Sequence, residues 1–464
     1  MHFEQFYLGC LAHASYMLVS EGEAVVVDPQ RDVEIYIDSA AAHGARIRHI
    51  FETHLHADFV SGHKELAERT GATIYVGVSA NAAFPHVDVR DGFELRVGKI
   101  LIQVLETPGH TPESICLVVT DEEKSPRPWA VLTGDTLFIG DVGRPDLSAT
   151  HTPVELAGML YDSLHQKVLK LADDVLVYPA HGAGSLCGRN MRAERSSTIG
   201  SERLTNYALQ ITNRQEFTRE LTTNLPSRPE YFLQDAELNR QGAATLSELA
   251  ELAPIAAQDL ASELEKGAYV LDVRPGDRYA AGHVPGSVNI PLSGQFASWA
   301  AIVFGLSSRP TVVADTTEQL SEARVRLARV GIENVYGYLF GGVEAWKEAG
   351  LALAQMPEIS VQTLSEWQKR PEVSVVDVRR ESEWQAGHIA DALWIPLDKL
   401  ASAPVPLGHD RLIAVHCKSG YRSMIACGLL RRSGFSNVVN VSGGFDAWRA
   451  AGLPLARRQE EVAA

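Results

Sequence analysis

Short apolar runs that end in aspartate, histidine or glycine set the rhythm of the first half of the chain. Residues 17–27 read as two strands around Glu21-Gly22-Glu23 that stop at Asp28-Pro29, and residues 32–43 carry the spacing of a helix. Ile50 and Phe51 end the next strand and residues 62–69 form a helix, while residues 72–76, 100–105, 129–132 and 175–177 are further strand-like runs. Strands alternating with helices predict a layered α/β sandwich. Past His181 the pattern turns mostly helical. Asn224-Leu225-Pro226-Ser227-Arg228-Pro229 reads as the loop that closes the first domain, and residues 247–266 read as one helix, or two broken near Pro254.

The second half contains one unit written twice. Val270-Leu271-Asp272-Val273-Arg274, Ala281-Gly282-His283-Val284 and Ile290-Pro291-Leu292 return, with unchanged spacing, as Val375-Val376-Asp377-Val378-Arg379, Ala386-Gly387-His388-Ile389 and Ile395-Pro396-Leu397. Gly341-Gly342 followed by Trp346 likewise returns as Gly443-Gly444 followed by Trp448. A repeat of about a hundred residues is a duplicated small domain, because solenoid units run roughly 20–50 residues. The chain is therefore divided at 1–245, 246–355 and 356–464.

Composition narrows the partners. The 464 residues, 45% of them hydrophobic, suffice for three ordinary cores. A formal charge of −16 argues against nucleic acid or an anionic membrane as the main partner, and an anionic substrate would need local arginine or lysine. No stretch approaches the roughly 18 apolar residues of a membrane span, and the first residues lack a basic segment followed by an apolar one. The expected location is the cytoplasm, and the sequence is compatible with a homo-oligomer. Cys10, Cys116, Cys187, Cys417 and Cys427 show no C-x-x-C spacing, so neither a disulfide framework nor an all-thiolate zinc site is indicated.

The chemistry gathers at the ends of the strand-like runs. His54-Leu55-His56-Ala57-Asp58 puts two imidazoles and a carboxylate at alternate positions, and Gly109-His110, Gly134-Asp135 and Ala180-His181-Gly182 close three later runs. Such side chains suit zinc, iron or manganese. The order HxHxD, GH, GD, H resembles the metallo-β-lactamase fold. The expected fold class is accordingly α/β, an αββα sandwich followed by the two duplicated α/β domains; the motif is specific to the fold and not to one reaction. Dinuclear hydrolases of that fold generally read HxHxDH, and Phe59 stands where the last histidine belongs, which favours one metal. If His54, His110 and Asp135 bind it, the set is two histidines and one carboxylate with open positions, as expected of non-haem Fe(II) oxygenases. His56, Asp58 and His181 would then orient ligands or bound water. His56 as a fourth ligand, and zinc as the metal, stay open on spacing alone.

The repeated units resemble rhodanese domains, with their DVR strand end, GHV or GHI turn, cysteine loop and late GGxxxW. In the second unit residues 412–416 read as a strand, Cys417-Lys418-Ser419-Gly420-Tyr421-Arg422 as a loop and residues 423–432 as a helix. That order turns backbone N–H groups toward one point, a nest that favours a thiolate at Cys417 and stabilises its persulfide. Lys418 and Arg422 would hold an anionic sulfur donor or acceptor. Four residues separate Cys417 from Arg422, fewer than in cysteine phosphatases, which fits sulfur transfer better. Cys427 reads as a core residue. Aligning Val312-Val313-Ala314-Asp315 with Ala414-Val415-His416-Cys417 puts Asp315 in the nucleophile's place, so the first repeat reads as a pseudo-rhodanese, a spacer or docking surface, with Asp272, Arg274 and His283 as fold residues.

The segments His54–His63, Gly140–Leu147 and Tyr178–Gly188 are similar to bacterial persulfide dioxygenases, especially those fused to a rhodanese. That resemblance implies one Fe(II) per chain and O₂, used to oxidise glutathione persulfide or another low-molecular-weight persulfide to sulfite with release of the thiol. Cys417 would couple this to interconversion of thiosulfate, sulfite and thiol in sulfide detoxification. Arg144 is then a candidate for holding the substrate's carboxylates, or else forms a salt bridge. Tyr178 positions the substrate or packs at its strand end. Cys187, beside His181, is a candidate reactive thiol and Cys10 a weaker one. Two other classes fit the same residues, namely a zinc-dependent thioester hydrolase like glyoxalase II with appended sulfur-carrier domains, and a non-catalytic sulfur or redox sensor.

Overall fold

The structure, a computed structural model, describes residues 1–464 except 224, 226, 403, 404 and 457–464, so Asn224 and Pro226 of the expected closing loop lie outside the described residues. The chain groups into two units, Met1–Leu249 with Leu327–Gly331, and Ala250–Arg326 with Ile332–Ala464.

In the first unit β1 (His2–Leu8), β2 (His13–Ser20), β3 (Glu23–Val27), β4 (Arg46–Phe51), β5 (Thr73–Gly77) and β6 (Val87–Val89) form a six-stranded sheet in chain order. The second six-stranded sheet holds β7 (Glu94–Val97), β8 (Ile100–Glu106), β9 (Ile115–Asp121), β10 (Ala130–Gly134), β11 (Leu176–Pro179) and β12 (Ser197–Thr198). Every residue of β2 is buried, because its two faces serve two cores. Tyr16 and Leu18 join Val25, Val27 and Phe51 against Ile102, Val104, Leu117 and Val119 of the second sheet. Met17 and Val19 face the other way. There Tyr36 of α1 (Glu34–Ala42) and Leu66 of α2 (His63–Thr70) cover the first sheet. Leu160 of α3 (Pro153–Gln166), Ile199 of α4 (Ile199–Thr205) and Phe217 of α5 (Arg214–Thr222) cover the second. The result is the expected αββα sandwich, followed by α6 (Tyr231–Gln241). Parallel pairing of β3 with β4 and of β10 with β11 brings Asp28, the segment after Phe51, Asp135 and His181 out at strand ends.

The second unit carries two parallel five-stranded sheets. One orders Pro254-Ile255, Gly337–Leu339, Thr311–Val313, Val270–Asp272 and Val288-Asn289; the other orders Glu358-Ile359, Val438–Val441, Leu412–His416, Val373–Asp377 and Leu393-Trp394. Residues 247–266 are not one helix. Pro254 and Ile255 pair as a strand with Tyr338 and Leu339, and the helix runs only from Ala257 to Glu265, since proline offers no N–H to a helical turn. Asp272 and Asp377 each hold the following arginine, Arg274 or Arg379, in a buried two-pronged pair, and each arginine reaches on to a turn carbonyl, Gly282 O or Gly387 O. Trp346 and Trp448 fill the cores and donate Nε1–H to Ala352 O and Pro454 O.

Strand register corrects the alignment of the two repeats by one residue. Asp272 lies beside Val313 and Asp377 beside His416, so Ala314, and not Asp315, occupies the place of Cys417. Gly342 approaches Ala314 O as Gly444 approaches Cys417 O. The helix after Ala314 begins at Thr317, one residue sooner than the helix that begins at Tyr421 after Cys417. A methyl group cannot carry sulfur, so the first repeat still lacks the nucleophile. Among the described residues no helix is long and apolar enough to cross a membrane.

Trp448 is fully buried, and truncating it leaves an indole-sized void in the last domain. Trp448→Ala is expected to cost roughly 3–5 kcal/mol, seen by circular dichroism as a lower urea midpoint for that domain; an unchanged midpoint would contradict this packing.

Candidate metal centre and sulfur-transfer loop

The segment after β4 is held from three directions. Asp28, whose backbone is left-handed at φ 52°, accepts Thr53 N–H at 2.7 Å and Thr53 Oγ1–H at 2.8 Å. Glu113 accepts Leu55 N–H at 3.0 Å. From α6, Asn239 donates to His56 O at 2.7 Å and Phe59 O at 2.8 Å and accepts Ser61 N–H at 2.8 Å. Nothing in the sequence pattern connects Asn239 to the histidines; Asp28 was visible only as the end of a strand.

These contacts choose histidine tautomers. Thr53 Oγ1 spends its proton on Asp28, so at 3.0 Å from His54 Nδ1 it accepts, which leaves a lone pair on His54 Nε2. His110 Nδ1 donates to Arg144 O at 2.9 Å, with the same effect on its Nε2. Both Nε2 atoms are buried without a hydrogen-bond partner, and Asp135 Oδ2 lies 3.8 Å from the first and 3.3 Å from the second. Buried polar atoms left unpaired are costly, and three such acceptors turned on one point ask for a cation. The donor set of His54, His110 and Asp135 therefore fits a metal ion, its ligand atoms lying within 4.8 Å of one another. Burial, reinforced by the neighbouring His56, pushes His54 well below the usual imidazole range, and burial lowers His110. Although burial opposes its charge, the Asp135 carboxyl is held well below the carboxylate range by His181, His54 and His110. Gly143 has to be glycine, since a Cβ there would meet Asp135 O at 2.0 Å and His110 Nδ1 at 2.7 Å.

The other three residues divide. His56 turns Nε2 to Asp28 at 3.2 Å and Glu52 at 3.6 Å, where burial pushes Glu52 up to about 8. His181 donates Nδ1–H to Asp135 at 2.8 Å and faces Asp58 with Nε2 at 3.0 Å. Phe59 is fully buried, its ring 4.1 Å from that of His13 and 4.4 Å from that of His56. Arg144 contributes through its backbone, while its guanidinium is engaged by Asp146 at 2.6 and 2.9 Å and by Leu186 O at 3.1 Å. Tyr178 packs among Phe3, Tyr16 and Trp129. Cys10 is half-buried, and Cys187 is buried against Asp58 and His181.

In the second unit Cys417 Sγ accepts Gly420 N–H at 3.1 Å at the start of the helix Tyr421–Arg432, and Ser423 Oγ, whose proton goes to Asn440 Oδ1 at 2.7 Å, lies 3.5 Å from the sulfur. Lys418 is exposed at the rim. Arg422 is bound two-pronged by Glu383 at 2.6 and 2.8 Å, so this cation comes with a carboxylate that the sequence pattern did not single out. Tyr421 donates its hydroxyl to Pro291 O of the preceding repeat at 3.1 Å. Cys427 lies buried on the same helix, as expected of a core residue.

The sequence profile of the Metallo-beta-lactamase superfamily matches residues 8–181, and that of the Rhodanese-like domain matches 256–349 and 360–451. A crystal structure of a metallo-beta-lactamase from Staphylococcus aureus subsp. aureus COL is 31% identical, with a TM-score of 0.65, over 73% of this chain and 98% of that one. The chain belongs to the metallo-β-lactamase superfamily. Two rhodanese-like domains follow that fold in this member. The human mitochondrial persulfide dioxygenase ETHE1 is 29% identical over 44% of this chain and 73% of its own length. A hydroxyacylglutathione hydrolase from Francisella tularensis subsp. novicida (strain U112) is 31% identical over 37% of this chain, and the match spans 63% of that enzyme's length.

Asp28→Asn tests the tautomer argument. An amide NH₂ facing Thr53 Oγ1 would make the hydroxyl donate to His54 Nδ1 and move that ring's proton to Nε2. Metal affinity is expected to fall by about 10–100-fold with secondary structure intact, read by competition with a chelator; unchanged affinity would contradict it.

Proposed function

We propose that the chain is a persulfide dioxygenase joined to a sulfurtransferase, with domains at 1–245, 246–355 and 356–464. The observation that carries this reading is the convergence of His54 Nε2, His110 Nε2 and Asp135 Oδ2, with Phe59 in the position that a further histidine takes in dinuclear hydrolases. Two imidazoles and one carboxylate with open positions suit Fe(II). Iron held by them would supply activation of O₂ beside the sulfur of glutathione persulfide or a similar small persulfide. The protein's own part is to keep both Nε2 atoms unprotonated, through Asp28, Thr53 and Arg144 O, and to fix Asp135 by the His181 N–H. The products would be sulfite and the free thiol.

Cys417 would act as the carrier. Its thiolate, steadied by the Gly420 N–H, attacks the outer sulfur of a small persulfide; the new S–S bond forms as the old one breaks and the thiolate of the donor leaves. Sulfite then attacks that outer sulfur and leaves as thiosulfate, which returns Cys417 to the thiolate with no net oxidation. Lys418 would draw anionic donors to the rim, and the Arg422–Glu383 pair would hold the loop. A second reading has support in the hydroxyacylglutathione hydrolase relative, namely zinc-dependent cleavage of a glutathione thioester.

The iron-loaded chain given glutathione persulfide should consume O₂, and Asp135→Ala should abolish the uptake; normal uptake in that variant would remove the assigned site. Cys417→Ser should keep O₂ uptake while shifting products from thiosulfate toward sulfite. An unchanged product ratio would separate the last domain from the reaction.

A further inference from the structure

The sulfur-transfer loop is held from outside its own domain. Gly420, left-handed at φ 109°, turns its N–H to Cys417 Sγ, and Tyr421 follows it as the first residue of the helix that runs to Arg432. The Tyr421 hydroxyl donates to Pro291 O of the preceding repeat. Burial pushes that phenol above its usual range, so it keeps its proton and stays the donor. Its ring lies over Gly294, where a Cβ would stand 3.5 Å from Tyr421 Cε2.

The receiving turn is itself fixed and open. Arg326 donates to Leu292 O and, at 3.1 Å, to Gly294 O, and Glu322 lies 2.9 Å from the same guanidinium. In the last domain the matching Pro396 O is consumed by a helix that starts at Leu397, where it accepts Lys399 N–H and Leu400 N–H. In the first repeat the helix waits until Phe296, which leaves Pro291 O to accept from the neighbouring repeat. The support continues along the helix. A Cβ at Gly428 would meet Val288 Cα at 3.2 Å, and Arg432 donates to Gly267 O at 2.8 Å and Ala268 O at 3.0 Å, its guanidinium 4.1 Å from the centre of the Tyr269 ring. The helix therefore rests on the first repeat from its first residue to its last.

We propose that the repeat without a nucleophile is the frame that sets the Cys417 loop: Tyr421 is a positioning residue, and its bond to Pro291 O, backed by Arg326, keeps the Gly420 N–H aimed at Cys417 Sγ. That N–H steadies the thiolate that attacks the donor and that departs again when the acceptor takes the outer sulfur. The inference rests on the reading of Cys417 as sulfur carrier.

The test uses the full chain without O₂, mixed once with glutathione persulfide, with the Cys417 persulfide followed by mass. Tyr421→Phe removes only the hydroxyl and should slow that step about three- to tenfold, the rate equivalent of one hydrogen bond. The amplitude and the half-saturating persulfide concentration should not change, whereas a partly unfolded population would lower the amplitude. Arg326→Gln should slow the step similarly from the other repeat, and the double variant should lose no more than the single variants, because both act through one contact. An unchanged rate in Tyr421→Phe would overturn the proposal, and so would losses that multiply in the double variant. Tyr421→Phe, which keeps the ring over Gly294, decides the matter even if Arg326→Gln does not fold. Thiosulfate formed at the full rate from persulfide and sulfite by Cys417→Ser would instead remove the carrier reading on which the inference rests.

Discussion

The contact between Asp28 and Thr53 is the constraint on which the first unit's chemistry rests. It joins two parallel strand ends through a carboxylate that receives both a backbone N–H and a hydroxyl. Aspartate tolerates the left-handed backbone at this corner better than most side chains. The same carboxylate decides which nitrogen of His54 is free, and it reaches His56 as well. One buried group therefore couples the shape of the sheet edge to the protonation pattern of His54 and His56. Stability and chemistry meet in the same two oxygens.

Around that anchor, the residues that hold His54, His110 and Asp135 in place outnumber them. Arg144 O sets His110, His181 sets Asp135, and Asn239 clamps the backbone between His56 and Ser61. Each is buried, so each hydrogen bond forms out of competition with water and holds its partner firmly. The second unit follows the same logic with different groups. A backbone N–H faces Cys417, Glu383 fixes Arg422, and Tyr421 ties the start of the helix to the preceding repeat. That repeat carries Ala314 where the last domain carries its thiol.

The parts of this design that follow chemistry-bearing periodicity were legible in the sequence. The strand-end histidines and aspartates, the αββα alternation, the duplicated domain and the cysteine loop all arise from local patterns in the chain. What escaped was set by distance or register. Asn239 lies far along the chain from the loop it holds, and nothing near it in sequence marks it. For Arg144 the sequence left substrate binding and a salt bridge both open, because Asp146, two residues on, is an unremarkable neighbour until both are folded inward. The off-by-one placement of Asp315 arose because the vestigial loop is shorter, and only strand pairing reveals that Ala314 is the equivalent residue. Residues 247–253 carry helical composition, but the proline that follows them belongs to a sheet edge.

The central claim is that the first unit spends its metal on O₂ and a persulfide, and not on water and a thioester. The direct test loads the metal-free chain with iron or with zinc and offers each form glutathione persulfide and a glutathione thioester, following O₂ and free thiol together. The account predicts O₂ uptake with persulfide in the iron form, and no thioester cleavage by either form. Thioester cleavage by the zinc form, with no O₂ consumed by the iron form, would contradict it.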